Sequence, residues 1–198
     1  MFTVSTITEL HRSTVDRWHR QESDETASDF LTLVREQHRL NYNLWHQEDI
    51  ARSPDVSDAE IAQVKRNIDR LNQERNDHIE MLDTVIIELI RRHGLPPSPY
   101  APLNTETPGS VIDRLSIMSL RIYHMNEQVR RTDVSVEHQE KAAGRLVRCR
   151  EQLQDLSLSL QQLLDDLFAG RKILKVYHQF KMYNDPTLNP YLYQRKAA

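Results

Sequence analysis

Glycine is scarce in this chain, with only four in 198 residues, and neither GxxxxGKS/T nor GxGxxG can be written anywhere along it. Phosphate-loop kinases and glycine-rich dinucleotide-binding enzymes are thereby excluded. Cysteine is scarcer still: Cys149 stands alone, which rules out an intrachain disulfide and any cysteine-based zinc site. No GxSxG marks an acyl-transfer nucleophile, and none of the nine histidines forms the His-x-x-x-His pair that sets two imidazoles on one helix face. No apolar run approaches the roughly 18 residues of a membrane span, and no basic-then-apolar leader is legible, so the expectation is a cytoplasmic protein without membrane insertion. What is present is 38% hydrophobic and 28% charged residues, enough apolar material for a core and too much for a disordered chain.

Apolar residues recur at spacings of three and four, which predicts an all-α protein, an antiparallel bundle of about five helices. The first helix is expected from the capping box Thr6-x-x-Glu9 through Trp18, and the second from about Ser28 to Arg52, ended by Ser53-Pro54. A third, unusually long helix starts at Ser57-x-x-Glu60 and stops at Gly94. The segment from Gly94 to Pro108 holds five prolines, Pro108 included, which makes it an extended connection. The fourth helix opens after Thr107-Pro108 and the fifth runs from Ser135 to Phe168, with Gly170 as its cap. The short turn between these two makes them antiparallel, so Leu115 should meet Leu153 and Met118 should meet Cys149. Cys149, on a leucine heptad, reads as a small core residue. The division is one bundle over residues 1–170 and a basic, aromatic arm over 171–198.

Strong polar residues occupy core-facing positions of the second and third helices: Gln37, Asn41 and Glu48 on one, Asn72, Arg75, Asn76 and Asp83 on the other. Burying such groups costs several kcal/mol unless they are paired, so they should bond to each other or to a ligand. Level-for-level antiparallel pairing suggests a Glu48–Lys65 ion pair and an Asn41–Asn72 hydrogen bond, a network that fixes register. The competing reading is a site. Asn41, Trp45, His46, Lys65, Asn72, Arg75, Asn76 and Arg114 are the candidate ligand-binding residues, His46 and His124 being the two histidines set in polar-rich helices. Glu48, Asp49 and Asp113 are the candidate ligands for Mg²⁺ or Mn²⁺. Glu48, Asp49 and Glu80-x-x-Asp83 superficially resemble the carboxylate signature of all-α nucleoside-triphosphate pyrophosphatases, but a simple hairpin leaves Asp83 about 31 Å from the level of Glu48 at 1.5 Å per residue. A metal site near Glu48 therefore needs Asp113.

The arm carries six basic residues and one acid, so +5 of the formal charge sits there and −8 on the first 170 residues. Its lysines and rings could hold nucleic acid, but Ile173, Val176, Phe180 and Tyr183 fit an amphipathic strip, and docking on the acidic bundle or on a second subunit is the preferred expectation. Asn184-Asp-Pro and Asn189-Pro should end helical form by about Tyr183, leaving an extended segment pegged by Tyr191 and Tyr193.

Four long strings carry a resemblance. Leu40-Asn-Tyr-Asn-Leu-Trp-His-Gln-Glu-Asp-Ile-Ala-Arg52, Lys65-Arg-Asn-Ile-Asp-Arg-Leu-Asn-Gln-Glu-Arg-Asn-Asp77, Leu103-Asn-Thr-Glu-Thr-Pro-Gly-Ser-Val-Ile-Asp-Arg-Leu-Ser116 and Phe180-Lys-Met-Tyr-Asn-Asp-Pro-Thr-Leu-Asn-Pro190 resemble a bacterial family of about this length, catalogued as a domain of unknown function. The resemblance implies no activity and no catalytic residue. A second uncharacterised family is similar in the Thr-Pro-Gly-Ser-Val-Ile-Asp-Arg-Leu and Asn-x-x-Leu-Trp stretches in reversed order, which implies that these adjoin in space and bring Asp113 and Arg114 toward Glu48. Two functional readings follow: a bundle, possible homo-oligomer included, that binds a partner or a phosphorylated small ligand through its polar seam, and a divalent-metal hydrolase or transferase acting on a nucleotide or phosphosugar.

Overall fold

The computed structural model describes residues 2–24, 29–178, 182 and 185–193. Among the described residues six helices follow one another: α1 Val4–His19, α2 Asp29–Ala51, α3 Asp58–His93, α4 Pro108–Arg130, α5 Val136–Phe168 and the single turn α6 Pro190–Tyr193. Apart from one isolated parallel bridge between Leu103 and Ile173, no extended pairing occurs among the described residues. The fold is all-α.

The helix starts follow from hydroxyl caps. Ser57, Thr107 and Ser135 each accept the backbone N–H three residues on, at 3.2–3.3 Å, and Pro108 fills the first position of α4, where no N–H is needed. In α1 the cap is Thr3, whose hydroxyl accepts from Thr6 N while Thr6 Oγ1 accepts from Thr3 N. The helix thus begins earlier than the Thr6-x-x-Glu9 box suggests. Glu9 turns outward to Arg12 instead, and the earlier start puts Val4 on the buried face with Ile7.

α4 is the central helix and packs on α1, α2, α3 and α5. Its Val111, Ile112 and Leu115 join Ile7, Leu82, Ile86 and Leu160 in the main core, and Leu153 packs against that cluster as the antiparallel register requires. Met118 is buried while Cys149 is only half-buried. A second, smaller cluster of Leu40, Leu44 and Leu71 holds α2 on α3. Close approach of α4 to α3 depends on Gly109: a Cβ there would stand 2.6 Å from Ile79 O, and without one the Gly109 N–H reaches Asp83 Oδ1 at 2.6 Å. Asp83 is thus buried for a structural purpose, as an acceptor at the α4 N-terminus, and burial raises its pKa above the usual carboxylate value.

The chain leaves α5 through Gly170, at φ +67° and pressed against Pro96 O. It then runs beside the proline-rich connection: Ser98 N–H donates to Gly170 O, Ile173 N–H to Pro102 O and Asn104 N–H to Ile173 O. Residues 171–178 are therefore not helical. Further along, His178 Nδ1 lies 2.5 Å from Glu80 Oε2. Phe180 and Tyr183 of the expected amphipathic strip lie outside the described residues. The segment is not extended there, and Tyr191 and Tyr193 do not peg it to this chain's own bundle: they sit in the helical turn α6 started by Pro190, 86% and 47% exposed.

Candidate functional site: a buried polar centre and the cleft beside it

Where α2, α3 and α4 meet, Asp113 is 4% exposed and accepts from three side chains, two on α2 and one on α3. Gln37 Nε2 at 2.6 Å, Asn41 Nδ2 at 2.9 Å and Arg75 Nε at 2.7 Å donate to Oδ1, and a second guanidinium nitrogen of Arg75 donates to Oδ2. A planar guanidinium and a carboxylate meet in two parallel bonds, the strongest geometry available to such a pair. The bond from Asp113 holds Arg75 more firmly protonated than a free arginine.

From Asn41 a directed chain runs into α1. Asn41 Nδ2 also donates to Ser116 Oγ at 2.9 Å, Ser116 lies 2.6 Å from His38 Nδ1, and His38 Nε2 lies 3.1 Å from the backbone oxygen of His11. A carbonyl can only accept, so His38 carries its proton on Nε2 and Nδ1 takes the Ser116 proton. Burial pushes the His38 pKa down to about 3. The Ser116–His38 contact is not a nucleophilic dyad, because both residues are wholly buried and an imidazole with that pKa is a poor base at neutral pH. Sequence reasoning missed His11, His38 and Ser116. The signal was there: Ile7, His11, Thr14 and Trp18 share one face of α1, and Gln37, His38 and Asn41 share one of α2, the same face logic that drew notice to Gln37 and Asn41.

Beside this centre a cleft of about 370 Å³ opens between α2, α3 and α4. It gathers six of the candidates, Asn41, Trp45, Glu48, Asp49, Asn72 and Arg75, with Arg52 at the rim. Glu48 pairs with Arg52, and Lys65 with Asp69 one turn along its own helix. The expected Glu48–Lys65 pair is therefore absent, and the Asn41 amide is committed to Asp113 and Ser116. The contact actually made is Asn67 Nδ2 to Gln47 Oε1 at 3.0 Å, about one turn from level-for-level pairing, since helical side chains lean toward their own N-termini. Lys65 is exposed and does not line the cleft, Asn76 is half-buried outside its lining, and Arg114 faces away to pair with Glu106 at 2.7 Å. The adjacency of the two sequence stretches holds for Asp113, which meets Asn41. Among the described residues no three His, Cys, Asp or Glu side chains form a group able to hold a metal ion.

Behind Trp45 lies a cluster of rings. Trp45 stacks on His124 at 4.6 Å, His19 stacks on Tyr123 at 4.0 Å, and His46 lies 5.4 Å from His19 and 6.0 Å from His124. Desolvation, then the neighbouring imidazoles, lowers the His46 pKa.

The family model for a protein of unknown function (DUF4254) matches residues 31–176. The chain belongs to the DUF4254 family. The match spans every element that supplies Asp113 and its donors and leaves α1, with His11 and His19, outside. No curated protein and no solved structure matches the chain.

Proposed function

We propose that this DUF4254 protein binds a small phosphorylated ligand in the cleft between α2, α3 and α4, without turning it over. The observation that supports the reading is Arg75. Its Nε and one terminal nitrogen are fixed by Asp113, while its remaining N–H groups belong to a residue that lines the cleft together with Trp45 and Asn72. Such a guanidinium reaches a phosphate oxygen without losing side-chain freedom on binding. Trp45 offers a ring face for a base or sugar, and Arg52 adds a second cation once Glu48 releases it. The test is titration with AMP, ribose 5-phosphate and inorganic phosphate, followed by calorimetry. Binding of AMP or ribose 5-phosphate that is weakened by Arg52→Ala and Trp45→Ala supports the assignment. Absence of heat for all three probes refutes it.

The metal-dependent hydrolase or transferase reading retains one supporting observation, that Glu48 and Asp49 line the same cleft. Its third carboxylate, Asp113, already accepts four hydrogen bonds. Phosphate release from nucleotides that depends on Mg²⁺ or Mn²⁺ and is lost in Asp49→Asn would favour turnover over binding.

A further inference from the structure

The Trp45 cleft changes character along its length. Arg75 marks one end, since it and Asn41 donate to the same oxygen of Asp113 and therefore stand at one level. On α2, Trp45 follows Asn41 by one turn and Asp49 by two, which places them about 6 Å and about 12 Å farther along the axis at 1.5 Å per residue. Leu44, Ile117 and Leu120 supply the apolar lining. The order is cation, ring, carboxylate. The ring is fixed in place: His124 covers one face of Trp45 in a near-parallel stack, 9° apart at 4.6 Å, and is itself tied to Glu127 Oε2 at 2.8 Å. A platform held in this way takes a planar partner without first losing side-chain freedom.

The two carboxylates that line the cleft differ. Glu48 is taken by Arg52, whereas Asp49 makes no hydrogen bond among the described residues. His46 stands 3.8 Å from Asp49, beyond hydrogen-bond reach, and with a pKa lowered chiefly by burial it is uncharged at neutral pH. A bare carboxylate repels a phosphorylated ligand unless that ligand brings N–H donors to it. In a 5′-mononucleotide the sugar lies between phosphate and base, so with the phosphate at Arg75 it is the outer edge of the base that reaches Asp49. Among the common bases guanine alone sets two N–H donors side by side on that edge, N1–H and the 2-amino group, which match the two oxygens of one carboxylate. Adenine, cytosine and uracil each turn an acceptor toward it as well. We infer that the cleft selects a guanine 5′-mononucleotide, with the phosphate at Arg75, the base on the face of Trp45 that His124 leaves open, and N1–H and the 2-amino group on Asp49. This selectivity rests on the reading of the cleft as a phosphate site.

The experiment is calorimetric titration of the full chain with GMP, IMP, AMP and ribose 5-phosphate, IMP being the probe that keeps N1–H and lacks the 2-amino group. GMP should bind at least about tenfold more tightly than AMP and more tightly than IMP, and Asp49→Asn should weaken GMP by about tenfold without weakening AMP. The Asp49 side chain is 61% exposed, so the variant keeps the fold, which an unchanged melting temperature verifies. The inference is overturned, with the phosphate reading intact, if GMP binds no better than AMP or IMP, if Asp49→Asn keeps the GMP preference, or if ribose 5-phosphate binds and no nucleotide does. Absence of heat from all four probes overturns both.

Discussion

The two sides of α4 hold buried polar side chains and treat them differently. Around Asp113, Gln37, Asn41, Arg75 and Ser116 hand hydrogen bonds from helix to helix until the chain closes on the backbone of α1. On the other side of α4, His11 is wholly buried with no hydrogen-bond partner on either ring nitrogen. A network that joins four helices specifies how they sit together, even with Gln37 Oε1 left buried and unpaired at its edge. The Asp113 centre is therefore framework.

The largest expected effect comes from opening the closed centre. Asp113→Ala leaves the guanidinium of Arg75 and two amides without an acceptor, and urea unfolding should show a loss of about 3–5 kcal/mol. The double variant Asp113→Leu with Arg75→Met should recover a large part of that, because a buried pair replaced by apolar groups of similar size costs far less than a pair half removed. If the single variant is as stable as the parent, the centre is not framework.

Acid stability sharpens the same comparison. His11 and His38 both have pKa values lowered by burial, His38 to about 3. Below the unfolded value of about 6.5 the unfolded chain binds protons that the folded chain refuses, so stability falls as pH drops from about 6.5 toward the folded values, by up to about 1.4 kcal/mol per pH unit for each histidine. His11→Phe sacrifices no hydrogen bond of the ring. It should reduce the slope of unfolding free energy between pH 6.5 and 5 by nearly one histidine's share, within the range where few carboxylates titrate.

Much of the framework was legible. Ser57, Thr107 and Ser135 cap the helices they announce, and of the polar residues on core-facing positions Gln37, Asn41 and Asp83 are buried and Arg75 is half-buried, each with a partner. What could not be read was who partners whom. Asn41 was matched to Asn72 on the neighbouring helix of the hairpin, yet its amide goes to Asp113 and Ser116 on α4, because a proline-rich connection fixes no register and packing of a third helix decides it. His38 and Ser116 escaped notice because a histidine search by metal-ligand spacing ignores histidines that sit singly on an apolar face. In the candidate site, Trp45, Glu48, Asp49, Asn72 and Arg75 converge as the shared face of α2 and α3 suggested. Lys65 and Arg114 do not, since each finds a carboxylate on the outer surface. Tyr191 and Tyr193 do not anchor on this chain's own bundle, because Pro190 starts a helical turn in place of the expected extended segment.

Smaller effects separate structural from ligand-facing carboxylates. Asp83→Ala removes the acceptor of Gly109 N–H and should cost about 1–2 kcal/mol. Asp83→Asn keeps an acceptor. Because the folded Asp83 pKa is raised, its ionisation opposes folding above about pH 4, so the asparagine variant should be as stable as the parent or more so at pH 7 and lose that advantage as pH falls. Equal losses for both substitutions would contradict the capping role. Arg52→Ala, breaking an exposed pair with Glu48, should change stability by less than about 0.5 kcal/mol while weakening AMP binding in the cleft.

The imidazole of His38 tests the central claim most directly, since it sits where the network of α2 and α4 passes into α1. A long-range ¹H–¹⁵N spectrum should show it as the neutral tautomer protonated on Nε2, unchanged from pH 7 to 5 and unmoved by AMP at saturation. A His38 that titrates near 6.5, or that carries its proton on Nδ1, would contradict a closed structural centre.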